Sequence, residues 1–212
     1  DAVREAVNPR TRAILVNSPS NPGGTIISAE TLQGLCSAGP AIVSDEIYHG
    51  LVYEGKARSA LEFCDDAFVI NGFSKLYAMT GWRVGYLIAP KRYMRTMQKL
   101  NQNFAISSNA FVQWAAISAF TESKKYVDEM VATYNKRRIH ILESLRGMGL
   151  RIPVEPTGAF YVFVNFKHVD TDSYRLAMDV LEKARVAVTP GMDFGPNGEG
   201  FIRFTYANSI EN

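Results

Sequence analysis

The sequence predicts an α/β protein: a mostly parallel sheet with helices on both faces, followed by a smaller α+β unit. Three observations carry this. Residues 13–16 (Ala-Ile-Leu-Val), 41–43 (Ala-Ile-Val) and 67–70 (Ala-Phe-Val-Ile) are short apolar runs without alternation, each closed by polar or small residues. Runs of that kind, separated by loops and helical segments, are strands covered on both sides. Residues 109–146 then repeat their apolar positions at helical spacing (Phe111, Trp114, Ile117, Val127, Met130, Val131, Tyr134, Ile141, Leu145). Beyond Gly147 and Gly149 the pattern turns to isolated strands around one helix.

Taken in order, the first run leads into Asn17-Ser18-Pro19-Ser20-Asn21-Pro22-Gly23-Gly24, whose turn formers predict a loop. Residues 28–37 read as a short helix with Ser28 as N-cap. The second run ends in Ser44-Asp45-Glu46, the third at Asn71-Gly72, and a fourth strand over 84–89 is closed by Pro90. A helix begins near Lys91, and the 109–146 segment is one long helix or two joined near Thr121. Strands are predicted over 158–164, 186–188 and 201–206, and a helix over 173–184. The change of character places a domain boundary near residue 146, giving units of 1–146 and 147–212.

Composition excludes several classes of function. With 47% hydrophobic and 21% charged residues, the 212-residue chain has the balance of a globular protein with a substantial core. A formal charge of +2 points to no nucleic-acid partner, and the one tight basic cluster, Lys136-Arg137-Arg138, reads as a solvated helix face. Three dispersed histidines (His49, His140, His168) have no metal-ligand spacing, so no metal is expected. Cys36 and Cys64 form no CxxC and no disulfide framework, which favours a reducing compartment and a cytoplasmic location. No apolar run is long enough to span a membrane. The chain opens at Asp1 almost directly into a strand pattern and stops just past another, so it reads as a fragment of a longer protein.

In open α/β sheets ligands bind outside the carboxyl ends of the strands. Those ends carry Asn17 and Asn21, then Asp45 and Tyr48, then Ser74 and Lys75. Lys75 is the only charged residue between Ala67 and Trp82, and Arg83 follows it by eight positions. Singly these residues have ordinary readings: Asp45 as a helix cap, Asn21 as a turn residue, Arg83 as an ion-pair partner. Together they meet the needs of pyridoxal phosphate, which requires a lysine amine, a carboxylate beside its ring nitrogen, donors to its phenolate oxygen and a cation for its phosphate. A desolvated lysine loses pKa and becomes both nucleophile and base, and a planar arginine grips phosphate with paired hydrogen bonds.

Five segments, in order, resemble the class I (and II) aminotransferases among the fold-type I pyridoxal-phosphate enzymes. "VNSPSNPGGTIIS" is similar to that family's Asn-Pro-x-Asn-Pro-Thr-Gly loop, "IVSDEIYHGLVYEG" to its Ser-Asp-Glu-Ile-Tyr segment and "GFSKLYAMTGWRVGY" to its Schiff-base segment. "PTGAFYVF" resembles its small-domain loop, and "FIRFTYANS" its carboxylate-binding strand. The resemblance covers essentially the whole chain and implies an aspartate-aminotransferase-like enzyme in which Lys75 binds the cofactor and shuttles the substrate proton. It further implies that Asp45 pairs with the pyridinium, Asn21 and Tyr48 bind the phenolate oxygen, and Arg83 binds the phosphate. Arg203 would clamp the substrate α-carboxylate, with Asn17 or the Gly158 region near it. The implied reaction is transamination between an amino acid, aspartate foremost, and a 2-oxo acid such as 2-oxoglutarate, in a homodimer.

Two departures stand out. Gly23 replaces the family's usual threonine, and Gly72 stands where many members have a phosphate-binding serine, a role Ser74 could take over. The resemblance also implies that the family's phosphate turn, stacking aromatic and partner-subunit tyrosine lie upstream of Asp1, so that the chain is the C-terminal half of the enzyme and weakly active alone. Other readings share the lysine, aspartate and arginine: a C–S lyase, an aminocyclopropane-carboxylate-forming enzyme, or the ligand-sensing domain of a transcription regulator. Tyr48 favours transamination or cyclopropane formation over the lyases, which often carry histidine there.

Overall fold

The computed structural model describes residues 2–211. They form two compact units: residues up to Pro19 with Ile26–Asp128, and Ser20–Thr25 with the residues from Glu129 onward. The division falls inside a helix, upstream of the change in sequence character near residue 146, and it gives the Ser20–Thr25 loop to the second unit.

The first unit is built on a four-stranded sheet in the order β1 (Ala13–Asn17), β2 (Ala41–Asp45), β3 (Ala67–Gly72), β4 (Gly85–Ile88). β1, β2 and β3 are parallel, and β4 runs antiparallel against β3. Between β1 and β2 lies α2 (Ala29–Cys36), following a short α1 (Ala2–Ala6) at the start of the described chain. Ser28 caps α2 as expected, its hydroxyl accepting from the Thr31 amide at 3.2 Å. Ile42, Ala60, Ala67 and Val69 form a buried cluster against which Ile14, Val16 and Leu35 pack. Burial of each such aliphatic side chain is worth about 1.5–3 kcal/mol, which fixes the strand faces and hence the register.

The sheet is less covered than unbroken apolar runs predict. Leu15 is 73% exposed, and Ile70, Leu87 and Ile88 are exposed as well, so among the described residues burial alternates along β2 and β3. One face holds the core, and the other is apolar by sequence without being enclosed here.

The two cysteines also depart from the expectation of no disulfide. Cys36 and Cys64 are joined in a disulfide. Cys36 ends α2, and Cys64 lies shortly before β3; both pack on the same core cluster, which brings their Cα atoms to 5.5 Å despite a separation of 28 positions. Sequence spacing alone carries no trace of that proximity.

α3 (Met94–Phe104) follows β4, and the long helical segment is indeed two helices, α4 (Ala110–Glu122) and α5 (Lys124–Gly147), broken at Ser123. The second unit holds a three-stranded antiparallel sheet in the order β5 (Tyr161–Asn165), β7 (Phe201–Thr205), β6 (Thr189–Pro190). α6 (Ser173–Ala184) agrees with its predicted span and is capped by Asp172, which accepts from the Arg175 amide. β6 is displaced from the predicted 186–188 to Thr189–Pro190, because pairing with Arg203 and Ile202 selects those residues over the more apolar ones before them.

Leu142 and Leu145 of α5 pack with Val162 and Val164 of β5. Arg138 lies four and seven residues before these leucines, on the same helix face, and is 4% exposed. It is therefore not part of a solvated basic face: its Nη1 donates to the Pro156 carbonyl at 2.8 Å and its Nε to Asn135 Oδ1 at 3.0 Å.

Candidate active site

In the first unit, register does most of the positioning. Asn17, Asp45 and Ile70 stand side by side on β1, β2 and β3, so the loops beyond these strands leave from one edge of the sheet. Tyr48 lies three residues past the end of β2, and Lys75 three past the end of β3. The Lys75 Nζ sits over the Tyr48 ring, 6.0 Å from its centroid, with Tyr48 buried and Lys75 half-buried. The lysine is held in a tight turn in which Ala78 N donates to the Lys75 carbonyl and Met79 N to that of Phe73.

Asp45 is not a helix cap. Its Oδ1 accepts from the Ile47 amide at 3.1 Å, an Asx turn that ends the strand. The Asp45 carbonyl accepts from the Asn17 side-chain amide at 3.1 Å and from the Ser18 amide at 3.2 Å, which ties β1's end to β2's. Ser74, half-buried, is in the same turn as Lys75. Arg83 is exposed, adopts the left-handed conformation (φ 53°) and donates to the Thr80 carbonyl at 2.9 Å; no carboxylate pairs with it among the described residues. Its ordinary reading as an ion-pair residue therefore lacks a partner here.

Gly72, where a serine was the family expectation, is buried against β4. A Cβ there would lie 3.2 Å from the Gly85 Cα and 3.2 Å from the Val84 carbonyl oxygen, so the close β3–β4 pairing disfavours a side chain at this position.

In the second unit, Arg203 is at the centre of the sheet on β7, between Phe163 of β5 and Thr189 of β6. Its Nη1 donates to Asn21 Oδ1 at 2.7 Å and its Nη2 to Thr189 Oγ1 at 3.0 Å. The guanidinium stacks 4.3 Å from the Tyr161 ring centroid and 5.0 Å from that of Phe194. Its Nε is buried without a hydrogen-bond partner among the described residues. The structure thus joins Arg203 to Asn21, 182 positions apart, and adds three residues that no local signal marks: Thr189, Tyr161 and Phe194.

Gly24 closes the Asn21 loop on the Pro156–Gly158 segment: its carbonyl accepts from the amides of Thr157 (3.0 Å) and Gly158 (2.8 Å). It has φ +67°, and a Cβ would stand 2.5 Å from the Pro156 Cβ and 2.8 Å from the Gly158 carbonyl. Gly24→Ala is expected to cost about 2–4 kcal/mol through left-handed strain and overpacking together. Thermal melts of the two proteins measure it, and a loss below about 0.5 kcal/mol, the range of neutral surface changes, would contradict this account of the loop.

Comparisons with known proteins give the family. A family profile described as aminotransferase class I and II matches residues 1–212. The chain belongs to the class I and II aminotransferases. Among curated class I and II relatives, it is 43% identical over its whole length to the (5-formylfuran-3-yl)methyl phosphate transaminase of Methanocaldococcus jannaschii, and 39% identical to the aspartate/prephenate aminotransferase of Thermus thermophilus. It spans 57% and 56% of those two proteins. Among solved structures it superposes on the Thermus thermophilus aspartate aminotransferase with maleate (TM-score 0.93, 39% identity), covering 99% of this chain and 56% of that one. It is also similar to a Methanococcus jannaschii protein described as resembling kynurenine aminotransferases in its active site (TM-score 0.91, 42% identity, 99% and 57% covered).

Aminotransferases of this family use pyridoxal 5′-phosphate. The donor chemistry on the first unit's sheet edge fits that group: a half-buried amine beside a buried phenol, with a carboxylate at the neighbouring strand end. No helix among the described residues is long and apolar enough to cross a membrane, and no group of three or more His, Cys, Asp or Glu is placed to hold a metal.

Proposed function

We propose that this chain carries the lysine side of a transaminase active site, moving an amino group between an amino acid and a 2-oxo acid. The observation that carries the reading is the pairing of Lys75 with Tyr48 at one sheet edge, beside Asp45. Pyridoxal phosphate, when bound, supplies the carbonyl that the amine attacks and the ring that accepts electrons from the substrate α-carbon. Lys75 holds the cofactor and then takes and returns the α-proton at its Nζ, as a general base and acid.

In this reading Asp45 keeps the ring nitrogen protonated, with its strand-end Asx turn holding the carboxylate in one rotamer. Tyr48 and Asn21 donate to the phenolate oxygen. Arg83 takes the phosphate, assisted by Ser74. Arg203 binds the substrate α-carboxylate, and Asn17 acts by fixing the backbone of Asp45. The stacking of Arg203 between Tyr161 and Phe194 leaves its in-plane donors for hydrogen bonding, which suits a planar carboxylate.

The proposed amino donor is aspartate and the proposed acceptor 2-oxoglutarate. Relatives named as aspartate aminotransferases, from Pyrococcus horikoshii among others, support this choice. A homodimer in the cytoplasm belongs to the same proposal and rests on the family resemblance, since the bonded Cys36 and Cys64 offer no thiol argument for a reducing compartment. The test is a donor panel with the full-length protein and cofactor. Aspartate should bleach the visible cofactor band and 2-oxoglutarate should restore it; release of pyruvate or ammonia instead would replace transamination with lyase chemistry.

A further inference from the structure

Glu46 lies between two proposed site residues, yet its side chain points away from them. Ser44 and Asp45 are successive residues of β2 and face opposite sides of the sheet, and the Glu46 carboxylate bonds to the Ser44 hydroxyl, away from the Asp45 side. It is 3% exposed and fully engaged. Oε1 accepts from Ser44 Oγ (3.0 Å), Ser59 Oγ (3.0 Å) and the Ala60 amide (2.9 Å), and Oε2 faces His49 Nδ1 at 3.2 Å. Ser44 and His49 bracket the Asp45–Tyr48 turn, while Ser59 and Ala60 open a 3₁₀ turn at residues 60–62, fixed in turn by a capping box with Glu62. One buried carboxylate therefore pins both ends of the turn to a distant, separately stabilised segment.

The charged and titratable groups around it are His49 on its own turn, Glu62 on the 3₁₀ turn and Tyr86 on β4. Burial raises the Tyr86 phenol above its usual value, with Tyr77 and then the Glu46 charge adding to the effect. Burying a carboxylate is costly unless its acceptor sites are filled, and here four donors fill them.

Resting on the transaminase reading above, we infer that Glu46 is a positioning residue: its carboxylate holds the Asp45–Tyr48 turn so that the Tyr48 phenol keeps its place against Lys75 and the cofactor. A phenol that donates to the cofactor's oxygen lowers the proton affinity of the lysine-bound form. Loosening the turn weakens that donation and raises the affinity. Simple loss of a negative charge acts in the opposite direction, lowering the affinity for a proton, so the sign separates the two effects.

The test is a pH titration of the visible band of the full-length, cofactor-loaded protein in the wild type, Glu46→Ala, Glu46→Asp, Tyr48→Phe and Glu46→Ala/Tyr48→Phe. Glu46→Asp keeps the charge but shortens the reach to Ser59 and Ala60, and it carries the test if the alanine variant does not fold. Both Glu46 variants are expected to raise the proton affinity of the band about fivefold, the worth of one net hydrogen bond. In the Tyr48→Phe background the Glu46 change should add nothing, as residues acting through one contact are not additive. An unshifted Glu46→Asp titration, or Glu46 and Tyr48 shifts that add, overturns the inference while the wild-type band stands. A wild type with no lysine-bound band overturns the transaminase reading and this inference with it.

Discussion

Lys75→Ala, in the full-length protein with pyridoxal phosphate, is expected to remove the visible band of bound cofactor and to lower transamination by at least about 10²–10⁴-fold, the contribution of a positioned general base. The loss has two sources. Lys75 is the only lysine in the turn beyond β3 and the one whose amine lies over Tyr48, so no neighbour can take over the attachment. The same Nζ moves the α-proton, so the variant loses attachment and proton transfer together. Stability should change little, because the side chain is half-buried and the turn is closed by the backbone bonds of Ala78 and Met79. Unchanged melting with lost absorbance is the expected pair of results; retained absorbance would move the attachment point to another lysine.

The second large effect is expected at Arg203. Arg203→Lys keeps the charge but loses the fork that donates to Asn21 and Thr189 at once, and the flat surface that stacks on Tyr161 and Phe194. A charge-assisted hydrogen bond is worth about 1.5–3 kcal/mol, so kcat/KM should fall about 10- to 100-fold, through KM more than kcat. Steady-state kinetics with aspartate measures the split. A fall confined to kcat would place the arginine on the reacting atoms and away from the substrate carboxylate.

A smaller effect concerns pH. Burial lowers the His49 pKa from its usual 6.5, outweighing the attraction of Glu46. As pH falls through 6.5 the unfolded chain takes up the proton before the folded one, so this contribution to stability is present above 6.5 and declines below it. Denaturant melts across that range should show a shallower decline for His49→Gln; an equal decline would assign the slope to carboxylates alone.

Much of the first unit was legible in the sequence because its signals are local. Ser28 caps α2, and the apolar runs end where Asn17, Asp45 and Gly72 end the strands; in the second unit Asp172 likewise opens α6 at the predicted place. The same runs put Asp45 at the end of β2, with Tyr48 and Lys75 in the loops beyond β2 and its neighbour β3. What stayed hidden depends on partners far along the chain. The Cys36–Cys64 bond, the link from Asn21 to Arg203 and the choice of Thr189–Pro190 over residues 186–188 all follow from packing across many residues. Arg138 is an intermediate case. Its spacing from Leu142 and Leu145 marks the buried face, but the basic neighbours Lys136 and Arg137 suggest the opposite. Glu46 stayed hidden for a different reason: Asp45 and Tyr48 on either side fit the motif chemistry, while two of its own four partners, Ser59 and Ala60, lie on another segment.

The central claim is that Lys75 holds the cofactor. Borohydride reduction of the full-length, cofactor-loaded protein, followed by peptide mass spectrometry, tests it directly. A pyridoxyl adduct on Lys75 is the predicted result; an adduct on any other lysine, or none in a protein that binds the cofactor, would contradict it.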